Sequence, residues 1–182
     1  MHAASCYDHH IPEDQRDELM QRNLLDIQYS LGFLLVDYHS PQCLHWFIRA
    51  RDTMLNITPT STNDILLAGH IHFYLALNCT TLAEEDNYLN SALNFYRYVY
   101  TTIPNENHAE KLAFCELAMA DYCDKINEEN TACLWRVSAK LNQHNARQQS
   151  QNPATLLGKN APTTPEQEVA LANRTGNLRV SI

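Results

Sequence analysis

The chain has 182 residues, with 13 Lys and Arg against 21 Asp and Glu, a net charge of −8, and 45% apolar residues. That balance excludes a nucleic-acid binder, which needs clustered base against phosphate, while the apolar share can bury the core of one domain. The longest apolar run, Ile65 to Leu77, is broken by Gly69, His70 and His72 and is too short to cross a bilayer.

In chain order, residues 1–11 read as a mobile N-terminus. The segment Met1-His2-Ala3-Ala4-Ser5 has neither a basic nor an apolar leader character, so the six cysteines are expected as free thiols in a reducing cytoplasm. A first helix is expected from Glu13 to Tyr38. Ser40-Pro41 then sets a cap before a proline at the first helical position, opening a second helix to Leu55. Asn63-Asp64, after Pro59, opens a third helix to Asn78. Thr81-Leu82-Ala83-Glu84 has capping-box spacing and opens a fourth to Thr102. Asn107-His108-Ala109-Glu110 has the same spacing and opens a fifth to Lys125. Asn127-Glu128-Glu129 opens a sixth to Leu141.

Apolar residues recur at helical steps, as in Cys43, Trp46, Phe47, Ala50 and Met54, and strict alternation is absent. Cap-to-cap distances give a larger period: 41 residues from Ser40 to Thr81, 44 from Asn63 to Asn107 and 46 from Thr81 to Asn127. Two helices per period describe hairpins that bury their faces only against one another. The expected fold is therefore all-α, with three stacked antiparallel helix pairs over residues 12–142. From residue 143 to 182 the texture is that of a flexible polar linker and tail. Thr164-Pro165-Glu166-Gln167 starts one short helix there, near residues 165–173. The tail carries basic Arg174 and Arg179 beside an acidic body, which favours weak docking onto it.

Few residues carry recognisable chemistry. Gly32 and Gly69 are the only glycines of the helical span and cannot make a phosphate-cradling loop. No Glu-x-x-His pair occurs, so a di-iron bundle is disfavoured. His70 and His72 stand two apart and point to different faces, and Cys6, His9 and His10 lie in the N-terminal segment. No metal or cofactor is expected. Cys115 and Cys123 share one helical face with His108, a geometry open to a cysteine nucleophile but better explained by thiols that pack as small apolar groups. In the fourth helix, Tyr88, Phe95, Tyr96, Tyr98 and Tyr100 cover more than one face. They describe a central helix, a tyrosine-lined binding edge, or both.

The hairpins resemble tetratricopeptide repeats. Leu31-Gly32 and Leu117-Ala118 are similar to the Leu-small pair of the motif's first helix, Cys43/Ala50 and Ala132/Ala139 to the small residues of its second, and Pro59 and Pro104 to its closing proline. The acidic chain with Phe114-Cys115-Glu116-Leu117-Ala118 is similar to the tetratricopeptide chaperones of bacterial type III secretion. That resemblance implies a solenoid whose concave groove, lined by first helices, holds an extended segment of a secreted translocator or effector. It implies a groove of Tyr29, Phe33 and Val36, then Phe73 and Ala76, then Glu116 and Ala120. The function so implied is a non-enzymatic, cytoplasmic protein-binding adaptor or chaperone. A secreted effector whose tail is an export signal, and a cysteine-dependent enzyme, are the alternatives.

Overall fold

A computed structural model describes residues 17–151, with side chains to residue 148. Over this span the chain forms α1 (Glu18–Asp37), α2 (Gln42–Met54), α3 (Thr62–Asn78), α4 (Leu82–Thr102), α5 (Glu106–Lys125) and α6 (Glu129–Gln151), with no strand among the described residues. The N-terminal segment and the helix expected near residues 165–173 lie outside them. No described helix is long and apolar enough to cross a membrane.

Local chemistry sets the boundaries. Asp17 caps α1 by accepting from the Met20 amide at 2.8 Å, which places the start at Glu18 rather than Glu13. Ser61 and Asp64 form a reciprocal capping box on α3, so Ser61 holds the position expected of Asn63. Asn105, extended at φ −151°, caps α5 through the His108 amide at 2.8 Å. The helix thus starts two residues before the Asn107 box read from the sequence. At Ser40 the cap is weak, with only a 3.4 Å bond from the Gln42 amide. Thr81 caps α4 as expected, accepting from the Glu84 amide.

Two of the turns share one device. His39 at φ 50° and Asn127 at φ 62° take the left-handed conformation just past α1 and α5. Ser40 N–H then donates to Leu35 and His39 N–H to Val36; likewise Glu128 donates to Cys123 and Asn127 to Asp124. This is the Schellman arrangement, which satisfies the last carbonyls of a helix and reverses the chain. Asn127 therefore closes α5 instead of opening α6.

The helices pack in sequence as pairs, α1 with α2, α3 with α4 and α5 with α6, and each pair packs less extensively on the next. Direction follows from the contacts. Gln28 accepts from Thr53 while Gly32, one turn later, meets Phe47, so α1 and α2 run antiparallel. In the third pair Asp124 meets Arg136, and Glu116 meets Ser138 and Asn142, the same sense. One apolar cluster joins Leu25, Phe47, Ala50, Ile71 and Leu75 across α1 to α3. A second joins Leu89, Leu93, Tyr96, Leu112 and Met119 across α4 and α5, with Ala76 of α3.

The last helix is longer than the sequence implied. Ala132, Ala139 and Ala146 are buried at seven-residue spacing, and this small-residue stripe lets α6 approach α5 closely to its end. Asn142, one residue past the expected end of the last helix, donates to Glu116 at 2.8 Å while Ser138 donates to the other oxygen of that carboxylate at 2.8 Å. Residues 143–151 are therefore helical despite their Gln-rich composition, because alanine and glutamine favour helix once one face is anchored.

Candidate functional site

The first helices of the pairs run parallel and in register. Arg22 of α1 reaches Asp64 of α3 at 3.0 Å, the Tyr29 ring stacks on His70 at 6.3 Å and 15°, and Phe33 meets Tyr74 edge-on at 5.6 Å. These contacts join residues 41 or 42 apart. Lys111 of α5 lies a further 41 residues beyond His70, and its charge acts on that ring. Residues on this phase of α1, α3 and α5 therefore share one face.

At its edge the register is pinned by charge. Asp64 accepts from the Thr60 and Ser61 amides at 2.7 and 3.1 Å and from Arg22, which also donates to the Thr58 carbonyl. Burial opposes ionisation of Asp64, but the Thr60 amide, the Arg22 charge and the Ser61 amide outweigh it and hold the carboxyl below its ordinary range.

The face itself is aromatic. Phe33 is 42% exposed, Leu77 54% and Phe114 48%, while Tyr29, Val36, Phe73 and Tyr74 are half-buried among them. Burial pushes the Tyr29 hydroxyl up to about 12, and Tyr74 rises for the same reason with help from Asp37. Burial, aided by Lys111, pushes His70 down to about 4, and its Nε2 is buried without a hydrogen-bond partner in the protein. The rings of this face are thus uncharged near pH 7, with the Lys111 ammonium as the charge acting on His70.

Of the residues the resemblance assigned to a groove, Tyr29, Phe33, Val36 and Phe73 lie on this face. Ala76, Glu116 and Ala120 do not. Ala76 packs in the cluster of α3, α4 and α5, Ala120 packs with Cys123 and Ala132, and Glu116 is 1% exposed with both oxygens bonded to α6. The reason is helical phase: Glu116 and Ala120 sit on the far side of α5 from Lys111. His70, Tyr74, Leu77, Lys111 and Phe114 hold the face instead. The 41-residue step from Ser40 to Thr81, carried along the first helices, leads from Phe33 to Tyr74 and from Phe73 to Phe114.

Other chemistry-bearing residues are engaged structurally. Cys115 is fully buried, its thiol pushed up to about 12 by burial first and the Glu116 charge second, and it donates weakly to the Leu89 carbonyl. His108 turns back to Asn105 and Ile103. Cys43 and Cys123 are also buried, whereas Cys133 is exposed. Among the described cysteines, Cys133 should react with a thiol reagent first, with Cys43, Cys115 and Cys123 titrating only after denaturation. Rapid native labelling of Cys115, read by peptide mass spectrometry, would contradict its packing role.

A shallow depression of about 340 Å³ is lined by Asn127, Glu128, Glu129, Asn130 and Thr131, consecutive residues of a single segment, so no separate elements converge there. No group of three or more His, Cys, Asp or Glu among the described residues is arranged to hold a metal ion. No protein-family model matches the chain, and no curated protein or solved structure matches it either.

Proposed function

We propose that this protein is a non-enzymatic adaptor or secretion-type chaperone that holds an extended partner segment across its first helices. In this reading the pairs form a tetratricopeptide-like solenoid, and the groove is the face of α1, α3 and α5. The observation that carries the reading is the exposure of a large apolar side chain on each of the three first helices, Phe33, Leu77 and Phe114, each within about one turn of the 41-residue register. Large apolar side chains left open together are costly in water and are the ordinary anchors of a protein interface. Exposed Asp26 and Asp37 on α1 and Glu110 on α5 flank the face, so a neutral or basic segment with aliphatic anchors fits best.

A photoreactive phenylalanine analogue at position 33 or 114 should cross-link in cells to one discrete partner, whereas the same analogue at Asn94, on the polar face of α4, should not. With that partner in hand, Phe33→Ser combined with Phe114→Ser should weaken binding at least about 30-fold while leaving helicity intact. Equal binding by the double variant would refute the assignment of the face. Loss of helicity would place the two rings in the core.

A further inference from the structure

The aromatic face has an acidic edge along α1. Asp26, Phe33 and Asp37 stand at steps of seven and four, so they share one side of that helix, and both carboxylates are exposed. Asp37 is close enough to Tyr74 for its charge to act on that hydroxyl. Arg22, at the start of the same helix, is already met by Glu18 and Asp64. Beyond Gln151 the chain continues with residues of the opposite sign. Residues 169–182 hold Arg174 and Arg179 and no acid, with Leu178, Val180 and Ile182 at alternate positions. Residues 1–16 carry Asp8, Glu13 and Asp14 against Arg16, so like charge disfavours them at this edge.

We infer that residues 174–182 of the same chain occupy this edge as an internal competitor, with Leu178, Val180 and Ile182 against Phe33 and Leu77 and the two arginines within reach of Asp26 and Asp37. The inference rests on the reading of the α1, α3 and α5 face as a binding face, and adds the segment that a partner must displace. That reading asks for a neutral or basic segment with aliphatic anchors, and this is one. Bound in extended form, it presents alternate side chains to one side, so its three aliphatic residues reach the face together. Lys111, beside His70, opposes a base at the middle of the face, which favours the α1 edge. The reach is sufficient. Because α6 runs antiparallel to α5, Gln151 lies near the start of α5, at the end of the molecule where the first helices begin. Leu178 follows Gln151 by 27 residues, and a coil of that length spans roughly 29 Å. Crossing from α6 to α1 covers about 24–30 Å at ordinary interaxial distances. With an effective concentration near 1 mM, an intrinsic Kd of about 100 µM keeps the edge roughly nine-tenths occupied.

A photoreactive phenylalanine analogue at position 33 of the purified full chain tests this without any partner. The expected product joins position 33 to residues 174–182 of the same copy, mapped by mass spectrometry, in a yield unchanged by dilution. Arg174→Glu with Arg179→Glu should lower that yield at least about fivefold. No product within residues 174–182 would overturn the inference, and so would a yield that falls on dilution, which places a second copy's segment on the face. A labelled synthetic peptide of residues 169–182 gives an independent measure. The full chain carrying Leu178→Ser, Val180→Ser and Ile182→Ser should bind it about tenfold more tightly than wild type, whose own segment competes, and adding Phe33→Ser should remove the gain. Equal affinity of the wild type and the triple variant would also overturn it. Capture of a discrete partner in cells by the same analogue, with no product at residues 174–182 in the purified chain, would sink the internal competitor and leave the adaptor reading standing. The converse result would retain the competitor and remove the adaptor.

Discussion

Truncation of Phe47 to Ala is expected to lower stability by about 3–5 kcal/mol, the range for emptying a large aromatic site in a packed core. Phe47 is fully buried, stacks on Tyr74 with centroids 5.1 Å apart and nearly parallel rings, and lies 6.2 Å from Tyr29. Its edge rests on Gly32, where an added Cβ would come within 2.8 Å of the ring. The glycine is therefore required by the ring. Gly32→Ala gains up to about 1 kcal/mol of helix propensity, yet it must displace an aromatic wedged between three helices, at about 1–3 kcal/mol. The net expectation is destabilisation, reduced when Phe47 is also changed to Leu. Urea denaturation of the two single variants and the double variant measures the coupling. A stabilised Gly32→Ala protein, or strictly additive effects, would show that the ring does not depend on the missing side chain.

The second large effect is a loss of stability in mild acid. His70 has an ordinary value of 6.5 and is held at about 4 in the fold, by burial first and by Lys111 second. The folded state therefore binds the proton more weakly than the unfolded chain. The stability so contributed is complete above pH 6.5, declines as the pH falls through the interval to 4, and is gone below it. A shift of this size corresponds to roughly 2–3 kcal/mol for a ring that keeps some solvent contact. His72, also lowered by burial and by Arg51 against a bond to the Ala68 carbonyl, adds a contribution of the same sign. Asp64 acts in a separate window, since its lowered carboxyl matters only below its ordinary value of 3.8. Comparing chemical denaturation of wild type and His70→Leu between pH 7 and 4 isolates the effect. The variant should lose clearly less stability over that interval, and superimposable profiles would remove His70 as its source.

Much of the fold is legible in the sequence because the signals are local. Helical periodicity, Thr81 as a cap and prolines at boundaries each act within a few residues, and they give the helices and their pairing. The misplacements come from choices that neighbouring residues cannot settle. Asn105 and Asn107 are equally good caps in isolation; the chain uses Asn105, whose extended backbone follows Pro104. The end of α6 depends on Ala146 and on Glu116, 26 residues before its partner Asn142. The exposed aromatic face is the hardest to read, because each residue turns a helix by about 100°, so a small error in the repeat offset moves a side chain from surface to core. Ala76, Glu116 and Ala120 were displaced in this way, while the 41-residue register would have led to Tyr74 and Phe114.

Packing dominated by sequence neighbours has a kinetic consequence. No helix must wait for a distant strand or a far terminus, since each finds its partner across a turn of a few residues, and chains with such local contacts fold in microseconds to milliseconds. Synthesis at about 5–20 residues per second is far slower. During translation, α1 and α2 can therefore dock before α3 has left the ribosome, and every later pair meets a finished template. The apolar surface awaiting cover is then never larger than the open side of a single hairpin. A nascent chain of this design passes through synthesis with little exposure to aggregation.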